Sequence, residues 1–189
     1  MRSFRSLLVA FCFVALAVTA CSFHSKGPGT APEAGFITET AKQAQAQFSL
    51  GRFKRALELY SNAFDKYPHP GLRRRYARMG EQIRSAADTA YQRGEVAEAG
   101  IDYSILFESG ITTRDFVGTL SFDDDYLSRQ IKVCSKALME SGLMRYREEK
   151  LDEAIAIWKK ALFFDPDNRN VKNAYATATA QLHQLNLIK

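Results

Sequence analysis

Residues 135–168, SKALMESGLMRYREEKLDEAIAIWKKALFFDPDN, decide the fold. Within them Leu151, Ala154, Ile155, Trp158, Ala161 and Leu162 recur at i, i+3, i+4, i+7, i+10 and i+11, which lays one apolar stripe along a helix. Asp165 and Pro166 close that helix, because proline lacks an N–H and disfavours helical geometry in the residue before it. Upstream, Leu138, Gly142 and Tyr146 stand at four-residue steps on a second helix. The turn between the two, Glu148-Glu149-Lys150, is short, so the helices must pack antiparallel.

Small residues matter as much as large ones in this stretch. Gly142, Ala154 and Ala161 let helix axes approach to the low end of the ~8–10 Å packing range. Small residues at places 8, 20 and 27 of a 34-residue frame, with an aromatic at 24 and proline at 32, make a pattern that resembles the tetratricopeptide (TPR) repeat. Those places hold Gly142, Ala154, Ala161, Trp158 and Pro166. Between Ile37 and Pro70 the same frame is met by Ala44, Gly51, Phe53, Ala56, Tyr60, Ala63 and Pro68. Between Gly80 and Thr113 it is met by Ala87, Gly94, Val96, Ala99 and Tyr103; Leu106 replaces a small residue and Ile111 the proline, and Gly110 can end the helix in left-handed geometry.

The resemblance implies an all-α fold of antiparallel helix pairs, stacked as a short right-handed solenoid, with repeats at about 37–70, 80–113 and 135–168. These repeats are not evenly spaced. Residues 71–79, GLRRRYARM, hold no helix breaker after Gly71 and extend the first helix of the second repeat. The insertion 114–134 reads as a helical turn near Thr113–Val117, a loop through Gly118–Phe122 and a long helix from about Asp124. In 169–186, Val171, Ala174, Tyr175, Ala178, Leu182 and Leu185 share one face, as suits a capping helix over the open end of a stack.

The beginning of the chain has a different character. Arg2 and Arg5 precede a short apolar run from Leu7 to Val18, and small residues follow, the order of a secretory signal peptide in residues 1–20. Val18-Thr19-Ala20-Cys21 resembles the lipobox of bacterial lipoproteins, which implies cleavage before Cys21 and acylation of its thiol; an ordinary signal peptide with a coincidental cysteine is the other reading. Cleavage there removes Arg2 and Arg5, so the formal charge falls from +5 to +3, and Cys134 becomes the one free thiol. Residues 21–36 are then a lipidated cysteine and a Gly- and Pro-rich tether, and the helical domain is expected over 37–189, starting near Thr38 as an N-cap. Ser22 rather than aspartate after the cysteine favours an outer-membrane lipoprotein facing the periplasm over inner-membrane retention.

Catalytic motifs are not apparent. His24, His69 and His183 fall in the tether, between helices and on the last helix, without metal-ligand spacing, and no phosphate loop or G-x-S-x-G occurs. Asp123, Asp124 and Asp125 lack an EF-hand pattern and suit a helix start, where carboxylates complement the helix dipole. The expectation is a non-enzymatic protein without cofactor or metal.

Two surfaces are candidates for binding. In TPR proteins, places 2, 5, 9, 12 and 13 of each first helix line a concave groove. Carried over, the resemblance implies Thr38, Ala41, Gln45, Phe48 and Ser49; Glu81, Arg84, Asp88, Tyr91 and Gln92; and Lys136, Met139, Leu143, Tyr146 and Arg147. Place 12 is aromatic in every repeat, and rigid aromatics beside Arg and Gln suit recognition, although they serve packing equally well. The second surface is basic, with Arg73, Arg74, Arg75 and Arg78 at its centre within residues 52–84. A secreted chain does not meet nucleic acid, which leaves anionic lipid headgroups, envelope polymer or an acidic protein, or simply a solvated helix face. The main expectation is a membrane-tethered scaffold that binds a partner protein in envelope assembly (pilus, secretion or outer-membrane machinery). Binding of anionic envelope polymer through the basic stretch is the alternative.

Overall fold

Three short connections set the architecture. In each, a helix ends, one residue takes left-handed backbone geometry, and the chain turns straight into the next helix. Gly51 (φ 69°), Gly94 (φ 82°) and Glu149 (φ 61°) are those residues. Each turn carries the same pair of bonds: Gly51 N–H to Phe48 C=O (2.9 Å) with Arg52 N–H to Gln47 C=O (2.9 Å), Gly94 to Tyr91 (3.0 Å) with Glu95 to Ala90 (2.9 Å), and Glu149 to Tyr146 (3.1 Å) with Lys150 to Arg145 (3.0 Å). This is the Schellman close of a helix, which satisfies its last carbonyls and reverses the chain.

In a computed structural model of the protein, the described residues are 31–114 and 119–187. They form α1 (Ala31–Ser49), α2 (Phe53–Lys66), α3 (Pro70–Gln92), α4 (Val96–Glu108), α5 (Asp124–Arg147), α6 (Leu151–Phe164) and α7 (Arg169–Leu187), with no strand among them. The three turns fold α1 onto α2, α3 onto α4 and α5 onto α6, and α7 packs on α6. The all-helical expectation holds.

The starts of α3, α5 and α7 are capped by side chains. His69 Nδ1 accepts from Gly71 N–H (2.9 Å) ahead of Pro70 in the first turn of α3. Asp123 accepts from Tyr126 N–H (2.7 Å) at α5, with Asp124 and Asp125 in the first turn as the helix dipole favours. Asn168 Oδ1 accepts from Val171 N–H (3.2 Å) before α7, and its amide donates to the buried Ser135 hydroxyl (2.9 Å) on α5.

Small residues sit where large ones press hardest. A Cβ on Gly142 would stand 2.2 Å from Trp158 Nε1, and one on Gly100 would stand 2.5 Å from the Phe164 ring. Trp158 is 1% exposed and donates its indole N–H to Met139 C=O (3.2 Å). Ala44, Ala87, Ala56, Ala99, Ala154 and Ala161 are all fully buried. One core runs through α1–α5 and takes in Phe164 of α6, and a second joins α5, α6 and α7, with Leu138 packed against both.

The start of the first helix differs from expectation. Thr38 is not an N-cap: α1 begins at Ala31, and the Thr38 hydroxyl bonds back to Ala34 C=O (2.9 Å) inside the helix. Proline is tolerated in a first helical turn, so Pro32 does not stop it, and Phe36 and Ile37 then pack against the core. The tether expected over 21–36 is therefore helix from residue 31 on. Cys21, residues 1–30 and residues 115–118 lie outside the described residues. Residues 71–79 extend α3 as expected, and α5 starts at Asp124.

Candidate binding groove

The residues assigned to a single groove do not share one. On α3, Glu81, Arg84 and Asp88 are used inside the protein. Arg84 Nε meets Glu81 Oε2 (3.2 Å), and Arg84 Nη1 meets Asp88 Oδ2 in a close ion pair. The other Asp88 oxygen accepts from Tyr103 OH (2.5 Å) on α4 and Tyr126 OH (2.9 Å) on α5. Glu81 accepts from Ser121 N–H (2.5 Å) and Ser121 Oγ (2.8 Å). Burial works against the Glu81 carboxylate, but the bonds from Ser121 and Arg84 outweigh it and hold its pKa below the usual value. Burial and the Asp88 carboxylate raise both tyrosine pKa values, so both phenols stay protonated donors.

The α4–α5 connection is the physical reason. Ile111 and Phe122 from it are buried, and Ile111 reaches so close to Gly80 that a Cβ there would stand 2.7 Å away. Arg114 reaches back to Asp65 (2.7 Å) and Ser61 (2.7 Å) on α2. The connection and the start of α5 cover the face of α3 that carries Glu81, Arg84 and Asp88.

On α5, the face is filled by α7. Met139, Leu143 and Tyr146 pack into the second core with Tyr175 and Leu182. Tyr146 stacks 6.0 Å from Trp158 and donates to Gln181 Oε1 (2.8 Å). These three residues are packing residues. Lys136 is exposed beside Glu140 (4.0 Å), Arg147, Ser49 and Gln92 are exposed, and Tyr91 is 37% exposed; none of them lines the open groove described next.

Of the faces the repeat resemblance assigns to a partner, the one between α1 and α3 is open. Thr38, Ala41, Lys42 and Gln45 face Arg75, Arg78, Met79 and Gln82 across a cavity of about 370 Å³, with Tyr60 of α2 among its walls. It continues past Gln82 into a cavity of about 430 Å³ lined by Phe48, Ser85, Ala86, Thr89, Ala90, Arg93 and Glu95. Burial raises the Tyr60 pKa, and the guanidinium groups of Arg75 and Arg78 pull it back, which places both charges near the phenol. Thr38, Ala41, Gln45 and Phe48 of the expected α1 set thus line one groove, Ser49 does not, and their partners on α3 lie on a neighbouring stripe. That stripe, Arg75, Arg78, Gln82, Ser85 and Thr89, is legible at i, i+3, i+7, i+10 and i+14.

The expected basic surface is divided by the helix. Arg73 is half-buried, Arg74 is exposed outside the groove, and Arg75 and Arg78 line it. Cys134 is fully buried, and burial pushes its thiol up to about 11, so it is neutral and packed at ordinary pH. Among the described residues, no cluster of His, Cys, Asp or Glu could hold a metal ion, and no helix is long and apolar enough to cross a membrane. No family model matches the chain, and no curated protein matches it.

Proposed function

We infer that the protein is a non-enzymatic scaffold of TPR-like helix pairs, tethered to a bacterial membrane through a lipidated Cys21, that holds a segment of a partner protein in the α1–α3 groove during envelope assembly. The observation that carries this reading is the groove itself: the other expected binding faces are filled by the α4–α5 connection and by α7, whereas this one is left open and lined with amide and hydroxyl groups. The repeated Schellman turns, each followed by a helix with a buried alanine and a buried aromatic, support the helical-pair reading. Tethering rests on the leader and Val18-Thr19-Ala20-Cys21.

Photo-crosslinking in intact cells tests the scaffold. A photoreactive residue in place of Gln82 or Ser85 should give a discrete adduct that the same residue at the exposed Thr177 of α7 does not. Adducts at Thr177 alone would refute the groove as the binding face. The Cys21→Ser chain should leave the membrane fraction; a correctly cleaved Cys21→Ser protein still bound to membranes would refute the lipid tether.

A further inference from the structure

The α1–α3 groove has two chemically different halves that meet at Gln82. In one, Lys42, Arg75 and Arg78 converge, and no carboxylate lines the cavity. None of these three cations has an ion-pair partner among the described residues. Other arginines that approach a neighbouring helix or turn are paired, as with Arg84 on Glu81 and Asp88, Arg114 on Asp65 and Arg145 on Glu148; what sets Lys42, Arg75 and Arg78 apart from scattered exposed cations is that all three line one cavity. In the other half, Phe48, Ala86 and Ala90 supply apolar surface, and Arg93 sits 4.0 Å from Glu95 as its own counter-charge.

Uncompensated like charges held together repel one another and raise a positive potential between the helix walls. Such a site is completed by anions. Arginine offers a planar fork that matches a carboxylate in two parallel bonds. Thr38, Gln45, Gln82, Ser85 and Thr89 run along the walls and can pair with the N–H and C=O groups of an incoming chain. A lipid headgroup or sulfated or phosphorylated polymer would use the cations and leave the apolar half unused. A peptide with carboxylates followed by an apolar residue uses both.

Arg75 and Arg78 stand in the extension of α3 that precedes Gly80, outside the places to which the repeat resemblance assigns partner contacts. The charge is therefore a property of this chain's own extra turns.

We propose that the α1–α3 groove binds an acidic segment of a protein, its carboxylates on Lys42, Arg75 and Arg78 and a following apolar side chain against Phe48, Ala86 and Ala90. This rests on the groove being the partner-binding face. The test uses the full chain in detergent micelles and a fluorescent peptide of three glutamates followed by two leucines, read by anisotropy. A glutamine-for-glutamate peptide, a serine-for-leucine peptide, and phosphatidylglycerol vesicles as competitor form the comparison arms. Binding of the acidic peptide should fall about tenfold or more in Arg75→Glu/Arg78→Glu, and in the milder Arg75→Gln/Arg78→Gln if the first variant misfolds. Arg74→Glu, on the exposed flank, should change it less than about twofold. Raising salt from about 0.1 M to about 1 M, over which the screening length falls from about 10 Å to about 3 Å, should weaken it steeply. Equal binding of the glutamine peptide, an equal loss in Arg74→Glu, indifference to the leucines, or full displacement by vesicles at matched charge would each overturn the proposal. Crosslinks at Gln82 and Ser85 that persist in Arg75→Glu/Arg78→Glu would keep the groove as partner site while refuting its preference for acid.

Discussion

Glu149 is the one non-glycine residue with positive φ among the described residues, and it does what Gly51 and Gly94 do in the other two turns. An L-residue with a side chain in left-handed geometry gives up about 1–2 kcal/mol to the contact of Cβ with its own carbonyl. Glycine removes that strain but returns about 0.4–1 kcal/mol, because it has more freedom to lose from the unfolded chain. Glu149→Gly should therefore stabilise by roughly 0.5–1 kcal/mol, or roughly 1–4 °C in melting midpoint for a domain of this size. Glu149 is exposed and has no ion pair among the described residues, so nothing else of substance is lost. Charge is separated from strain by Glu149→Gln, which keeps the strain and should leave the melt unchanged, while Glu149→Asn should fall between, since Asn tolerates this geometry. Gly94→Ala runs the experiment backwards. A Cβ at Gly94 meets nothing within 4 Å, so its loss of roughly 0.5–1 kcal/mol would be backbone strain alone. Circular dichroism melts of the four variants decide the matter. If Glu149→Gly and Gly94→Ala both melt with the parent, or if Glu149→Gln gains as much as Glu149→Gly, the left-handed turn is not what these positions are for.

Two further outcomes are expected. Trp158→Ala should lose roughly 3–5 kcal/mol in urea unfolding through the cavity left beside Gly142 and Met139; an unshifted midpoint would mean the α5–α6 core is misassigned. Asp102 on α4 has its pKa raised from 3.8 to about 7, by burial first and then by the Glu98 charge. The folded state therefore holds the proton more tightly than the unfolded chain, so this group's contribution is fully present below pH 3.8 and is lost as pH rises through about 7. Discounted for partial exposure, the loss is on the order of 1–2 kcal/mol; Asp102→Asn should flatten that part of the stability profile, and an unchanged slope between about pH 4 and about pH 7 would refute it.

The helices were legible because their cores follow one rule three times. Ala56 with Tyr60 and Ala154 with Trp158 follow helical spacing, Ala99 with Tyr103 follow the places the repeat resemblance implies, and all six are buried. The start of α1 was not, since Pro32 and the glycines around it read as a tether, and only packing of Phe36 and Ile37 on the core shows why helix wins. The groove was half legible. Thr38, Ala41, Gln45 and Phe48 of α1 line it, because α1 packs mainly on α2 and leaves its side toward α3 uncovered. Those of α3 and α5 did not, because their faces depend on what the insertion and the last helix do, which no local period encodes. Phe122 and Ile111 lie in a stretch with no periodicity, yet they are what closes the α3 face.

Arg84 and Arg78 make the general point from a single helix. Both are arginines on α3, six residues apart, and composition gives no reason to prefer one as a contact for a partner. Arg84 meets two carboxylates, and Asp88 in turn satisfies two phenols, so a partner would have to break bonds already made to reach it. Removing Asp88 would leave Arg84 with Glu81 alone and take the acceptor from two tyrosine hydroxyls, at a cost of about 1–3 kcal/mol for each group left unmet. Such a cluster holds α3, α4 and α5 in register and has little left to offer outside. Arg78 has no such company, faces an open cavity with Lys42 and Arg75, and can gain a counter-charge without losing one. Recognition by charge belongs where unpaired charge and an open cavity coincide, and on α3 Arg75 and Arg78 meet both conditions whereas Arg74, equally unpaired among the described residues, lies outside the cavity.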